Sequence, residues 1–239
     1  MMRILLVLCI IPFFVNAQSN ELITLPTNST INILYVGDYK KGELDVNVIN
    51  SEWWGLFEAN NTSYIKKVIL KLEKIEPDVQ YDWEYRISVE ESENCIVLIS
   101  GLELKDRFIE YYTSNDVIRE NQEFTFEFGL YHTYLSSKLE KHHFIGEAQR
   151  KDYSIHLNYE SSEKVIRQEL FLFPSYGSNL NLSLIWAGDL DDDGKTDFLI
   201  NIPTPPNNEI GFSSGLYLSS KADTNNGVKL VATHSQTGC

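Results

Sequence analysis

The stretch Asp189-Leu190-Asp191-Asp192-Asp193-Gly194-Lys195-Thr196-Asp197 sets aspartates at relative positions 1, 3, 5 and 9, with glycine at 6. This is the spacing with which a short loop wraps Ca²⁺: alternate carboxylates turn inward and the main-chain carbonyl of the seventh residue, here Lys195, joins them. Calcium is a hard cation that takes about six to eight oxygens at roughly 2.3–2.6 Å. Asp189, Asp191, Asp193, Asp197 and the Lys195 carbonyl would nearly fill that shell, with water completing it. Gly194 permits the sharp turn because it has no Cβ to clash. Asp192 is expected to point outward. The loop departs from an EF-hand, since Ile200 stands where a bidentate Glu is needed and the flanks Leu182–Trp186 and Phe198–Ile202 read as strands. The expectation is an ion closing a loop between two strands, with an affinity of ~10⁻⁴–10⁻³ M, as in extracellular modules.

Other chemistry-bearing residues carry weaker signals. Gly211-Phe212-Ser213-Ser214-Gly215 fits a nucleophile elbow, and Asp223 and His234 follow in hydrolase order. An elbow needs a strand before it and a helix after it. Leu216–Leu218 reads as a strand, so a Ser/Gly hairpin turn is expected instead. His142-His143 with Glu147 lacks the His-Glu-x-x-His helix of a zinc site, and neighbouring residues on a strand face opposite ways. Glu90, Glu91 and Glu93 read as a solvated turn. If the chain acted on glycans, Glu90, Glu91, Glu147 and Glu160 would have to supply carboxylates about 5–10 Å apart across a cleft. On a strand, Trp53 and Trp54 would send one indole inward and one outward, with packing favoured over stacking on sugar rings. Asn28, Asn60, Asn61 and Asn181 head glycosylation sequons.

The elements that must position these residues are strands. Tyr81, Trp83, Tyr85, Ile87 and Val89 alternate with polar residues, as do Phe124, Phe126, Phe128 and Leu130. Apolar runs at 31–36, 95–99, 165–173, 182–186, 198–202 and 216–218 are bounded by turn-forming residues. An all-β, antiparallel, sandwich-like architecture follows, with room for two β subdomains. Residues 64–76 fit either a strand or a helical face, and their β-branched content favours the strand. Polar Thr113–Asn121 suggests a division into an N-terminal β region, 18–115, and a C-terminal one, 116–239, that carries the loop 189–197. Asn226-Gly227 before Val228–Ala232 reads as a tight hairpin turn.

Residues 1–17, with Arg3, the apolar run Ile4–Val15 and the end Val15-Asn16-Ala17, read as a secretory signal peptide too short to span a bilayer. The expectation is therefore a secreted, periplasmic or extracellular protein. There Cys95 and Cys239, both outside the leader, are able to pair. The chain has 239 residues with 20 basic against 34 acidic side chains, a net charge of −14 that disfavours nucleic acid and anionic membrane as partners. With 43% hydrophobic and 12% aromatic residues it has the means to fold around a core.

The segment Gly188–Phe198 resembles the Asp-rich calcium loop of the integrin-type FG-GAP and VCBS repeats. The resemblance implies that the matching aspartates hold a structural Ca²⁺ between strands. Such repeats come in series to make a β-propeller, whereas this chain carries one copy. More loosely, the tail from Leu184 through Leu216-Tyr217-Leu218-Ser219-Ser220-Lys221-Ala222 to Gly238-Cys239 resembles the end of a set of secreted bacterial proteins of unknown function. These readings point to a non-enzymatic, calcium-binding β protein with a structural or interaction role and a protein or glycan partner. The alternative is a secreted glycan-acting hydrolase with a structural calcium.

Overall fold

A computed structural model describes residues 29–59, 62–76, 82–117, 123–128, 131–145, 148–160, 165–176, 183–202 and 211–237. The expected leader, the four sequon asparagines, Glu147 and Cys239 lie outside the described residues. Among the described residues seventeen strands succeed one another: β1 (Asn32–Leu34), β2 (Gly37–Lys40), β3 (Trp53–Ala59), β4 (Thr62–Val68), β5 (Lys71–Lys74), β6 (Trp83–Ser88), β7 (Cys95–Ser100), β8 (Arg107–Ile109) and β9 (Tyr111–Val117). They continue as β10 (Glu123–Phe128), β11 (Tyr131–Ile145), β12 (Ala148–Glu160), β13 (Val165–Tyr176), β14 (Ser183–Gly188), β15 (Asp197–Ile202), β16 (Gly211–Leu218) and β17 (Lys229–Thr237). The protein is all-β, and its described strands form four open, antiparallel sheets. A central sheet runs β1-β7-β3-β4-β8, a small one β2-β6-β5, a C-terminal one β17-β16-β15-β14-β9, and a meander β10-β11-β12-β13.

The central sheet is apolar on both faces, because it is covered on both. One face sends Ile33, Leu56, Ile65, Val97 and Ile99 into a core shared with Trp186, Leu199 and Leu216 of the C-terminal sheet. The other sends Leu34, Trp53, Phe57 and Leu98 against Tyr39 and Ile87 of the small sheet. Trp53 and Trp54 therefore enter opposite cores, the Trp54 ring partly buried against the first and Trp53 fully inside the second. Gly55 is needed between them, since a Cβ there would lie 2.3 Å from the Phe57 ring.

Residues 64–76, open between helix and strand in the sequence, form most of β4 and all of β5. Two local expectations are corrected. Gly211–Gly215 is not a turn but the first part of β16, paired along its length with β17. Asn226-Gly227 is not a two-residue hairpin turn, because β16 and β17 are joined through residues 219–228. The chain reverses at Asp223, whose carboxylate accepts from the Asn225 and Asn226 amides. Gly227 and Val228 instead donate to the Gln168 side-chain carbonyl at 2.9 and 3.1 Å, which joins β13 of the meander to the C-terminal sheet. Residues on both sides of position 115 share strand β9, which pairs with β14.

At the corner between β17 and the bend joining β1 to β2, His234 packs against the Tyr35 and Tyr39 rings at 5.6 and 5.7 Å. Tyr39 closes the bend by donating its hydroxyl to the Tyr35 carbonyl at 2.6 Å. His234 is buried with no hydrogen-bond partner for Nε2, and burial, opposed in part by Glu43, lowers its pKa from 6.5 to about 4. Between those two values the unfolded chain binds the proton and the folded one does not. The resulting contribution to stability is complete above pH 6.5 and is lost as pH falls toward 4. At about 1.4 kcal/mol per pKa unit it amounts to something on the order of 3 kcal/mol. Urea unfolding from pH 7 to 4.5 should show this loss, and His234→Phe should remove that part of the slope. An unchanged slope in the variant would contradict the assignment.

Candidate metal centre

The loop begins where β14 ends, and its starting point is held by tight packing. A Cβ at Gly188 would stand 2.5 Å from the Trp186 indole and 3.0 Å from the Glu110 carbonyl, so only glycine lets the strand pass. The Trp186 ring is fully buried in the core against the central sheet. Its Nε1 donates to the Ser63 hydroxyl at 3.1 Å, and that hydroxyl donates to the Ile109 carbonyl at 3.2 Å. Two residues on, Leu190 inserts into the same core. The loop is pinned through apolar contacts at its start and by β15 at its end.

Within the loop the carboxylates organise the backbone. Asp189 accepts from the amides of Asp192, Asp193 and Gly194 at 2.8, 3.1 and 2.9 Å. This folds the chain into a tight turn that requires positive φ at Asp192 (68°) and Gly194 (79°), a region that aspartate tolerates and glycine adopts freely. Asp193 accepts from the Lys195 amide at 2.9 Å. Asp197, the first residue of β15, is fully buried and accepts from the Leu190 amide at 2.8 Å and the Ser219 amide at 2.7 Å.

Asp189, Asp191 and Asp197 each offer a carboxylate oxygen, and these oxygens lie within 4.8 Å of one another. Such a group is able to hold a metal ion. Of the other expected ligands, Asp193 stands beside this trio with its carboxylate turned to the Ser219 hydroxyl, 2.9 Å from Oδ2. The Lys195 side chain approaches Asp193 at 3.9 Å. Asp192 is exposed, as its even position implied.

The electrostatics are those of crowded anions. Burial, reinforced by the charge of Asp191, raises the Asp197 carboxyl well above the usual carboxylate range. Burial also raises Asp191; the Ser220 hydroxyl opposes the shift, and the charges of Asp193 and Asp189 add to it. One oxygen of Asp191 accepts from Ser220, while the other, Oδ1, is buried with no hydrogen-bond partner. Carboxylates so placed reach low energy only by taking up a proton or by sharing a cation.

Three residues at the site carried no chemical signal in the sequence. Ser219 and Ser220 follow β16 and supply hydroxyls to Asp193, Asp197 and Asp191. The Ser219 hydroxyl has one proton to share between two carboxylates. Arg107, on β8, donates to the Asp189 carbonyl and lies 3.6 Å from the Asp189 carboxylate and 3.9 Å from that of Asp192. In the sequence Ser219 and Ser220 stand out only as part of the tail that resembles other secreted bacterial proteins, which assigns them no chemistry.

The remaining candidates do not assemble with this group. Ser213 is paired with Ser235 across β16 and β17, and Ser214 is buried, accepting from the Tyr35 hydroxyl at 2.7 Å. Both sit within a strand rather than on a strand-to-helix turn. Glu90, Glu91 and Glu93 are exposed near the start of β7, Glu160 ends β12, and His142 and His143 are adjacent in β11. Among the described residues Cys95 is a free, half-buried thiol whose pKa burial pushes up to about 12; Cys239, with which the sequence allows it to pair, lies outside them.

Gly188→Ala should cost about 1–3 kcal/mol, because the Trp186 ring must leave its rotamer or the strand must shift. Chemical denaturation followed by tryptophan fluorescence measures this, and a variant as stable as the parent would refute the close packing described. No family profile, curated protein or solved structure matches this chain.

Proposed function

We propose that this chain is a secreted, non-enzymatic β protein whose loop 189–197 binds a structural Ca²⁺ and which serves as an interaction module for a glycan or protein. The observation that carries the metal reading is Asp191 Oδ1, a buried carboxylate oxygen with no hydrogen-bond partner, beside Asp189 and the fully buried Asp197. An all-oxygen, all-carboxylate set favours a hard cation over zinc or copper, which prefer nitrogen or sulfur. Calcium suits it better than magnesium, because four carboxylates and a backbone carbonyl, with water, supply the roughly seven or eight oxygens that calcium takes, whereas magnesium demands a small octahedral shell. In this reading Asp189, Asp191, Asp193 and Asp197 bind through carboxylates and Lys195 through its carbonyl. Asp193 would turn part of the way from Ser219 toward the ion. The resemblance to FG-GAP and VCBS loops supports the same ligand set. The secreted location rests on the leader-like residues 1–17, and millimolar exterior calcium is what a site of modest affinity requires.

The ion's role is structural. It offsets the mutual repulsion of the aspartates and joins the β14–β15 connection to the segment after β16, where Ser219 and Ser220 reach the same carboxylates. Calorimetric titration with Ca²⁺ should give saturable heat. At a free concentration one hundred times the dissociation constant, mass action adds about 2.7 kcal/mol, and the melting temperature rises by several degrees. Asp191→Asn should abolish both effects while leaving the circular dichroism of the sheets unchanged. A parent protein with neither calcium-dependent heat nor thermal shift would end the calcium reading.

A further inference from the structure

Phe57, Tyr64 and Phe108 are direct cross-strand neighbours on β3, β4 and β8, so three aromatic rings run in a row across one face of the central sheet. That face is covered by the small sheet, which has three strands against the central sheet's five. The cover ends partway along the row. Phe57 is fully buried beneath it, Tyr64 is half-buried at its margin, and Phe108, on the outermost strand, is 74% exposed. The rings are nevertheless packed together. Tyr64 stacks on Phe57 at 5.1 Å and 13°, and Phe108 meets Tyr64 at 5.9 Å and 56°. The last two form a shelf with one inclined wall.

Polar groups already held in position line this shelf. Glu91 accepts from the Tyr64 hydroxyl through one carboxylate oxygen and from Lys66 Nζ at 3.0 Å through the other. Lys66 lies 5.1 and 5.8 Å from the Phe57 and Tyr64 ring centres. The ammonium and carboxylate neutralise each other, so the shelf offers little to recruit a charged ligand, and the chain's net charge of −14 repels polyanions from it. A fixed donor and a fixed acceptor beside an apolar ring plane suit one kind of occupant best, a neutral ring with a C–H face on one side and adjacent hydroxyls at its edge.

We propose that Tyr64 and Phe108 bind a pyranose ring of a neutral glycan, stacked on the Phe108 face, with its hydroxyls bonded to Glu91 and Lys66. The proposal deepens the reading of this chain as an interaction module and rests on it for its biological setting. Beneath the shelf, Arg107, the residue before Phe108, turns to the opposite side of β8 and bonds the Asp189 carbonyl of the candidate metal loop, which steadies this three-residue edge strand.

The test is affinity electrophoresis of the full chain in gels containing soluble neutral β-1,4-, β-1,3- or α-1,4-linked glucan, with calcium and with chelator. At least one glucan should retard the protein. Phe108→Ala should weaken the retardation roughly tenfold or more, as loss of a central aromatic anchor does, and Lys66→Ala should weaken it less. Because Phe108 is so exposed, its variant should keep the parent melting temperature. Migration unaltered by all three glucans would overturn the proposal, as would retardation that Phe108→Ala leaves intact. A dimer seen by sedimentation and abolished by Phe108→Ala would overturn it as well, by making a second copy the occupant. Retardation and melting temperature that both survive chelation would sink the calcium reading alone and leave the shelf standing.

Discussion

The central sheet is buried on both faces, and the rest of the structure follows from that constraint. A sheet packed on one side alternates apolar and polar residues, whereas one packed on both runs nearly continuously apolar where both faces are covered, here along β7 and the first half of β3. Strand β7 runs Cys-Ile-Val-Leu-Ile-Ser, and β3 begins with two tryptophans that enter opposite cores. Double burial demands a cover on each side, which the chain supplies from different places. The small sheet is built from segments that interleave with the central one in sequence, and the C-terminal sheet comes almost wholly from residues beyond 183. Because the core shared with the C-terminal sheet draws on residues 31–109 and 186–232 alike, the N-terminal strands depend for their burial on residues more than a hundred positions away.

The same core positions the acidic loop. Trp186 and Leu190 flank Gly188 and Asp189, and both side chains are fully inside. The loop's first ligand candidate is therefore set by apolar packing, before any bond that its carboxylates make. Those carboxylates then shape the turn through backbone amides, a local arrangement that their spacing alone could produce. Asp197 differs, because as the first residue of a central strand it is carried into the interior, where its charge must be balanced. Serines after β16 and an arginine from β8 reach the loop only because their strands end beside it.

Sheet widths decide where apolar groups meet water. Three strands cannot cover five, so the aromatic row across β3, β4 and β8 emerges from its core at Tyr64 and is largely exposed at Phe108. At the opposite edge β17 of the C-terminal sheet lies near β1, and Gln236 donates to the Asp38 carbonyl of β2 at 2.6 Å. The two edges of one sheet thus have different surroundings, one flanked by β17 and the other presenting rings.

Much of this was legible in the residue order. Period-two alternation and short apolar runs identify an all-β, antiparallel protein, because alternation depends on local backbone geometry alone. The spacing of Asp189, Asp191, Asp193 and Asp197 singles out the loop for the same reason, as does Gly194 with its positive φ. Residues 64–76 stayed ambiguous, since Ile65, Val68, Ile69, Leu72 and Ile75 also fit a helical face, and only pairing with β3 and β6 makes them strands. Gly211–Gly215 and Asn226-Gly227 look like turns by composition. Tertiary pairing overrides the first, and Asp223 with Gln168 displaces the second. Arg107, Ser219, Ser220 and the exposure of Phe108 have no trace in local sequence. Each depends on which strands lie side by side and how far one sheet covers another, and that is settled by burial of surface between segments distant along the chain.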